Sequence, residues 1–279
     1  MSNTIARFDS STPYQRNYGI DLFRVVSMLM VLLLHILGSG IVAATAAAKL
    51  FSVQYMTAEG LRMAVYSVVN CYALISGYVG LNSRHRLSGY IALYLQVLFY
   101  SAGITALFFV LRMDALLTGS KLAALTPLSS NTYWYFTAYT YLFFCMPLLD
   151  HAVKTLDRSK LIGILAAIFV LFSLFPTFLG IDGAPVSGGY SFLWLAALYL
   201  IGAYIRQYDL PSAWKKSRFL TLYIACTVIT WTFRLVLPWA CKRYLGREMD
   251  DRILMAYTCP HHAAFRHRAS VLLRHPAPR

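Results

Sequence analysis

Two ionisable side chains, Arg24 and His35, lie inside the first long apolar run of the chain, Asp21-Leu-Phe-Arg-Val-Val-Ser-Met-Leu-Met-Val-Leu-Leu-Leu-His-Ile-Leu, with ten residues between them. An ionisable group at bilayer depth costs about 2.5–3.5 kcal/mol on insertion scales, so it usually faces a protein interior or a wet cavity. On a helix, eleven steps of ~100° turn both side chains to nearly the same direction, ~16 Å apart along the axis. Arginine offers a permanently charged planar fork that suits phosphate, and histidine exchanges a proton near neutral pH. The pair predicts one wall of one cavity, with an anion held at one end and proton-transfer chemistry at the other. Asp21, three residues before Arg24, is placed to pair with it. The plainer alternatives are an arginine snorkelling to the nearby interface and a histidine hydrogen-bonded between helices.

The elements that must position this pair are membrane helices. Of 279 residues, 58% are hydrophobic, 15% aromatic and only 13% charged, and the mean hydropathy is +0.56. That is too much apolar material for one soluble core, and the predicted fold class is an all-α polytopic transmembrane bundle. The first run has no small-residue cleavage site and carries an internal Arg and His, so it reads as a retained span rather than a signal peptide. A net charge of +14 raises nucleic acid as a partner. The basic residues fall between apolar segments instead of along one soluble face, which excludes that reading in favour of membrane topology.

With ~20 apolar residues needed per crossing, seven spans are predicted, at about 19–38, 61–81, 89–112, 131–149, 161–180, 190–206 and 218–239, and an eighth begins near Ile253. If the N-terminus is cytoplasmic, eleven Lys and Arg fall in inner segments, among them Arg84, Arg86, Lys154, Arg158 and Lys160, against six in outer ones. The positive-inside rule therefore predicts a cytoplasmic N-terminus. The basic loop Lys242–Arg252 opposes this, offset locally by Glu248, Asp250 and Asp251. Tyr133, Trp134 and Tyr135 open the fourth span, and Tyr190 with Trp194 opens the sixth, as interfacial aromatics do. Arg234, near the outer end of the seventh, is expected to snorkel.

The last twenty-one residues, Cys259 to Arg279, switch abruptly to His, Arg and Pro, a composition that does not cross a bilayer. The predicted organisation is thus a transmembrane domain over 1–258, incomplete, and an aberrant basic tail over 259–279 produced by a frameshift or foreign junction. His261, His262, His267 and His275 lack a Cys or acid at ligand spacing, so no metal is expected. Cys71, Cys145, Cys226, Cys241 and Cys259 show no CxxC pattern and read as small core residues.

The segment Tyr18-Gly-Ile-Asp-Leu-Phe-Arg24 through His35 resembles the opening of the acyltransferase 3 family, multi-spanning membrane enzymes that O-acetylate sugars of surface polysaccharides; the family's Arg-x10-His signature falls on Arg24 and His35. Three further blocks are similar: Ile75-Ser-Gly-Tyr78; Tyr133-Trp-Tyr-Phe with Tyr139 and Pro147; and Gly189-Tyr-Ser-Phe-Leu-Trp194 through Gly202-Ala-Tyr-Ile-Arg206. Four ordered blocks over 18–258 make the resemblance fairly specific. Members have about ten spans, and this chain departs from the pattern after Thr258. Where members carry an Arg-x-x-Arg element, only Arg84-His-Arg86 stands near.

The resemblance implies an O-acetyltransferase in a bacterial inner membrane. Acetyl-CoA from the cytoplasm is the donor and co-substrate, and a sugar hydroxyl of a cell-surface polysaccharide, such as O-antigen, or of its lipid-linked precursor is the acceptor. His35 would be the general base, since an alcohol is a poor nucleophile until its proton is removed. Arg24, with Arg84 and Arg86, would hold the phosphates of CoA. Tyr133, Trp134 and Tyr135 are weaker candidates for sugar stacking, against an interfacial belt. Ser76 and Tyr78 are weaker candidates again, against close helix packing. The rival functions are a transporter of polysaccharide, lipid or a small anion, in which Arg24 and His35 relay without chemistry, and an inactive truncated remnant.

Overall fold

A computed structural model of the protein describes residues 18–41, 51–113, 121–129, 133–179, 186–208, 216–246 and 256–258. Among these the fold is all-α. Its helices are α1 (Tyr18–His35), α2 (Val53–Val65), α3 (Val68–Gly80), α4 (Leu87–Val110), α5 (Trp134–Thr155), α6 (Arg158–Phe169), α7 (Phe175–Leu179), α8 (Phe192–Gln207) and α9 (Lys216–Ala240). Wider π-helical turns extend α1 over Ile36–Ile41, join α6 to α7 over Val170–Leu174 and follow α9 over Cys241–Leu245.

Among the described residues, five stretches are long and apolar enough to cross a membrane: Tyr18–Gly38, Val53–Gly80, Leu87–Val110, Arg158–Phe178 and Leu220–Tyr244. They match five of the expected seven spans. Of the other two, α8 is apolar but only 16 residues long, about 24 Å at 1.5 Å per residue. α5 has 22 residues and carries Asp150 and Lys154 in its last turns. The second span differs from expectation: its helix begins at Val53 rather than near residue 61, because Glu59 and Arg62 are paired inside the fold and need not stay in water. The expected eighth span lies outside the described residues save for Ala256–Thr258, as does the tail from Cys259 onward.

Local signals account for the helix starts. Ser52 caps α2 by accepting from the Tyr55 amide, and Ser191 caps α8 by accepting from the Trp194 amide. Two residues, Tyr66 and Ser67, separate α2 from α3, so the pair forms one broken span. Leu87 starts α4 directly after the Arg84–Arg86 loop.

The centre of the bundle is the α3–α8 seam. A carbon added at Gly77 would lie 2.0 Å from the Tyr199 carbonyl oxygen, and one at Gly202 would lie 2.1 Å from that of Leu74. Backbones can touch in this way only where there is no side chain, the usual device for joining helices in lipid. Leu74, Leu195, Leu198 and Tyr199 are buried around the seam, and α5 packs against α8 from the other side. α1, α4, α6 and α9 surround this centre. Leu22, Leu29 and Leu32 of α1, Phe99 and Leu107 of α4, and Val228 and Phe233 of α9 remain exposed, as lipid-facing surfaces require when hydrocarbon is the solvent. Cys71 is buried and Cys145, Cys226 and Cys241 are partly buried.

Ile20 of α1 packs with Tyr78 of α3 and Ile205 of α8, whereas Leu34 and Leu37 share a cluster with Met63 and Tyr66. The Tyr18 end of α1 therefore meets the C-terminal ends of α3 and α8, and the His35 end meets the α2–α3 break.

Candidate functional site

α1 runs without interruption from Tyr18 to His35, so the helical geometry expected from the sequence applies and Arg24 and His35 lie on one shoulder of the helix. Ile20, Ser27 and Leu34 form the buried stripe beside them. Arg24 is half-buried and stands 3.9 Å from Asp21, the partner expected for it. Its guanidinium is near enough to Tyr139 of α5 for the two to interact electrostatically. His35 is exposed, at the start of the Ile36–Ile41 turn. Between the two on α1, the buried Ser27 Oγ has no hydrogen-bond partner among the described residues, and neither has the Tyr135 hydroxyl of α5.

The bundle holds two buried polar clusters that sequence reasoning did not find, one against the His35 end of α1 and one at the level of its Tyr18 end. At the His35 end, Glu59 is fully buried. Its Oε1 accepts from Arg62 Nη1 at 3.0 Å and its Oε2 from Arg234 Nε at 3.0 Å. Arg234 thus does not snorkel: its side chain is 6% exposed and ties α9 to α2. Trp231 reinforces this tie by packing over Gly60, and the Tyr223 hydroxyl by donating to the Ala64 carbonyl. Arg62 also leans on the end of α1, since a carbon added at Gly38 would lie 4.0 Å from its Nε.

At the Tyr18 end, Asp150 of α5 takes two hydrogen bonds, one with His85 Nε2 at 2.7 Å and one from the Tyr199 hydroxyl at 2.7 Å. A carbon added at Gly80 would lie 2.6 Å from that hydroxyl, so the glycine gives Tyr199 its room. His85 lies between Arg84 and Arg86, both exposed, in the loop from α3 to α4. The cluster therefore clamps the segment that carries two candidate donor-binding residues. A carboxylate in the last turns of an apolar helix and a histidine inside a basic loop were the available signals; nothing local said that they meet.

The weaker candidates have definite places. Ser76 Oγ donates to the Tyr72 carbonyl one turn earlier, at 3.1 Å. Tyr78 is buried, with the Arg206 guanidinium 5.3 Å from its ring centre and Arg206 Nη1 donating to its hydroxyl at 3.5 Å. Trp134 contacts Tyr135, Tyr190 and Tyr257, with ring centres 5.5, 4.7 and 6.0 Å away. Tyr257 also stacks on Tyr66 at 4.7 Å. Tyr133 is exposed at the mouth of this aromatic group.

The group is anchored through Asn70, which donates to the Tyr257 carbonyl at 2.8 Å and accepts from Trp194 Nε1 at 2.9 Å. The Tyr257 amide donates to the Gly188 carbonyl. Gly189, at φ 98°, lies where a side-chain carbon would come within 2.6 Å of Tyr257 Cβ, so this turn requires glycine.

Fold and site together define a multi-pass helical membrane protein with charged and titratable groups held inside its bundle. The family model of an acyltransferase domain matches residues 17–256, and the chain belongs to the acyltransferase 3 family. No curated protein and no solved structure matches it.

Proposed function

We propose that the protein is an O-acetyltransferase of a bacterial inner membrane, with its N-terminus cytoplasmic, that moves an acetyl group from acetyl-CoA to a sugar hydroxyl of a surface polysaccharide or its lipid-linked precursor. The observation that carries this reading is the placement of Arg24 and His35 on one shoulder of a continuous α1 in a chain of the acyltransferase 3 family. Arg24 holds a CoA phosphate at the Tyr18 end, joined there by Arg84 and Arg86. His35 takes the acceptor's proton at the other end, ~16 Å away. A donor reaching from one to the other is an extended, amide-bearing chain, and the buried Ser27 hydroxyl on the way, without a hydrogen-bond partner among the described residues, favours a polar ligand over lipid. An unsatisfied buried polar group costs about 1–3 kcal/mol, which such a ligand would relieve. Exposed Tyr133, beside the Trp134 aromatic group, offers the acceptor sugar a ring to stack on.

Transfer of label from acetyl-CoA to the glycan fraction of membranes expressing this chain tests the reading. Transfer that disappears in His35→Ala, with insertion intact, supports it. Undiminished transfer by His35→Ala removes His35 as the base, and movement of glycan without consumption of acetyl-CoA replaces the enzyme with a transporter.

A further inference from the structure

We infer that Arg62 is a catalytic residue of the acyl-transfer step, its guanidinium stabilising the oxyanion that forms when the acceptor hydroxyl attacks the donor thioester. This rests on the acetyltransferase reading above, and four observations place the residue. Arg62 lies inside an apolar stretch that spans a membrane, where a charged side chain is by default a functional group. It packs against Gly38, one turn beyond His35, and so shares a locality with the proposed base. Glu59 is 0% exposed and the Arg234 side chain 6%, whereas Arg62 keeps 18% of its side chain accessible. A substrate can therefore touch Arg62, while Glu59 and Arg234 act through it as positioning residues. Finally, Glu59 gives each of its two oxygens to a different guanidinium, which holds Arg62 from below by a charge-assisted bond at 3.0 Å.

Acyl transfer needs such a group. His35 accepts the proton of the acceptor hydroxyl as its oxygen bonds to the thioester carbon, and the carbonyl electron pair moves onto the carbonyl oxygen. That oxyanion faces the Arg62 guanidinium. When the pair returns, the carbon–sulfur bond breaks and the thiolate recovers the proton from His35, leaving an ester and a free thiol. A fixed positive charge aimed at the oxyanion in a medium of low dielectric lowers this barrier without having to reorganise, and loss of one such donor typically costs ~10²–10³ in kcat.

The test compares Vmax per inserted chain, and KM for acetyl-CoA, in membranes carrying the parent chain, Arg62→Gln, Arg62→Lys and Arg62→Ala with added guanidinium ion. Arg62→Gln should lower Vmax ~100-fold and leave the acetyl-CoA KM within about twofold, because the interaction exists only in the transition state. Arg62→Lys should retain part of the rate, and guanidinium should restore part of it to Arg62→Ala, which a residue that merely joins helices would not allow. Parent-level Vmax in Arg62→Gln, a loss confined to KM, or a loss in Arg62→Ala that guanidinium leaves untouched would overturn the assignment. If Arg62→Gln fails to insert, the Lys variant and the rescue decide. Label transfer by the parent that is lost in His35→Ala but unaltered in Arg62→Gln rejects this inference alone. No transfer by the parent rejects the acetyltransferase reading and this assignment with it.

Discussion

The two ends of α1 solve the same problem differently. Each has a buried carboxylate with two partners, but Glu59 binds two permanent cations, Arg62 and Arg234, while Asp150 is held by a histidine and a phenol. The first cluster joins α2 to α9 and presses on the turn after His35. The second joins the His85 loop to α5 and α8. Removing one partner of a buried ion pair leaves the other charge uncompensated, at a cost of about 3–5 kcal/mol, whereas losing one hydrogen bond to a carboxylate costs about 1.5–3 kcal/mol. Under the proposed function, reaction rate would depend on the His35 end and donor affinity on the Tyr18 end, the latter through the clamp on the loop that carries Arg84 and Arg86.

The largest expected effect falls on the base. His35→Ala should reduce acetyl transfer by ~10²–10⁴, the usual worth of general base catalysis, with the amount of inserted protein unchanged. A smaller loss would mean that the chemistry is not concentrated at this end. Glu59→Ala should come next, lowering stability in detergent by about 3–5 kcal/mol as read by thermal unfolding, since two guanidiniums are then left without their buried carboxylate. A loss below ~1 kcal/mol would erase the contrast between the clusters.

Gly77→Ala, by forcing a methyl group against the Tyr199 backbone, should destabilise by about 1–3 kcal/mol and loosen the Tyr18 end specifically, because Tyr199 also holds Asp150. Arg24→Lys should raise the KM for acetyl-CoA about tenfold with kcat little changed, as expected for loss of a bidentate phosphate contact. A fall in kcat instead would move Arg24 from binding to chemistry. The mildest change is Asp150→Asn, which keeps an acceptor for Tyr199 and weakens only the hold on His85; we expect about 1 kcal/mol of stability and a two- to threefold rise in the acetyl-CoA KM.

Much of this was legible in the chain itself. The all-α membrane class, the apolar runs and the Arg24–His35 spacing follow from local composition and period, because a spanning helix satisfies its own backbone and must be apolar along ~20 residues. What could not be read were meetings between residues far apart: Glu59 with Arg234, 175 positions on, and His85 with Asp150, 65 positions on. Taken alone, Arg234 looked like a charge seeking the interface, because a snorkelling arginine and a buried paired one have the same sequence neighbourhood and differ only in what stands opposite. Glu59 was placed before the second span for the same reason, since an apolar ruler stops at a charge and cannot know that it is paired inside the fold.

The sequence by itself therefore determined that this protein crosses a membrane repeatedly, which family it resembles, and that one helix carries an arginine and a histidine on one shoulder. Only the tertiary structure decided which carboxylates the buried cations find, that the α3–α8 backbones meet at Gly77 and Gly202, and that Arg62 leans against the His35 end of α1. Helix formation depends on neighbours within a turn, but the pairing of a buried charge depends on which helix packs opposite, and that is settled only when the whole bundle closes.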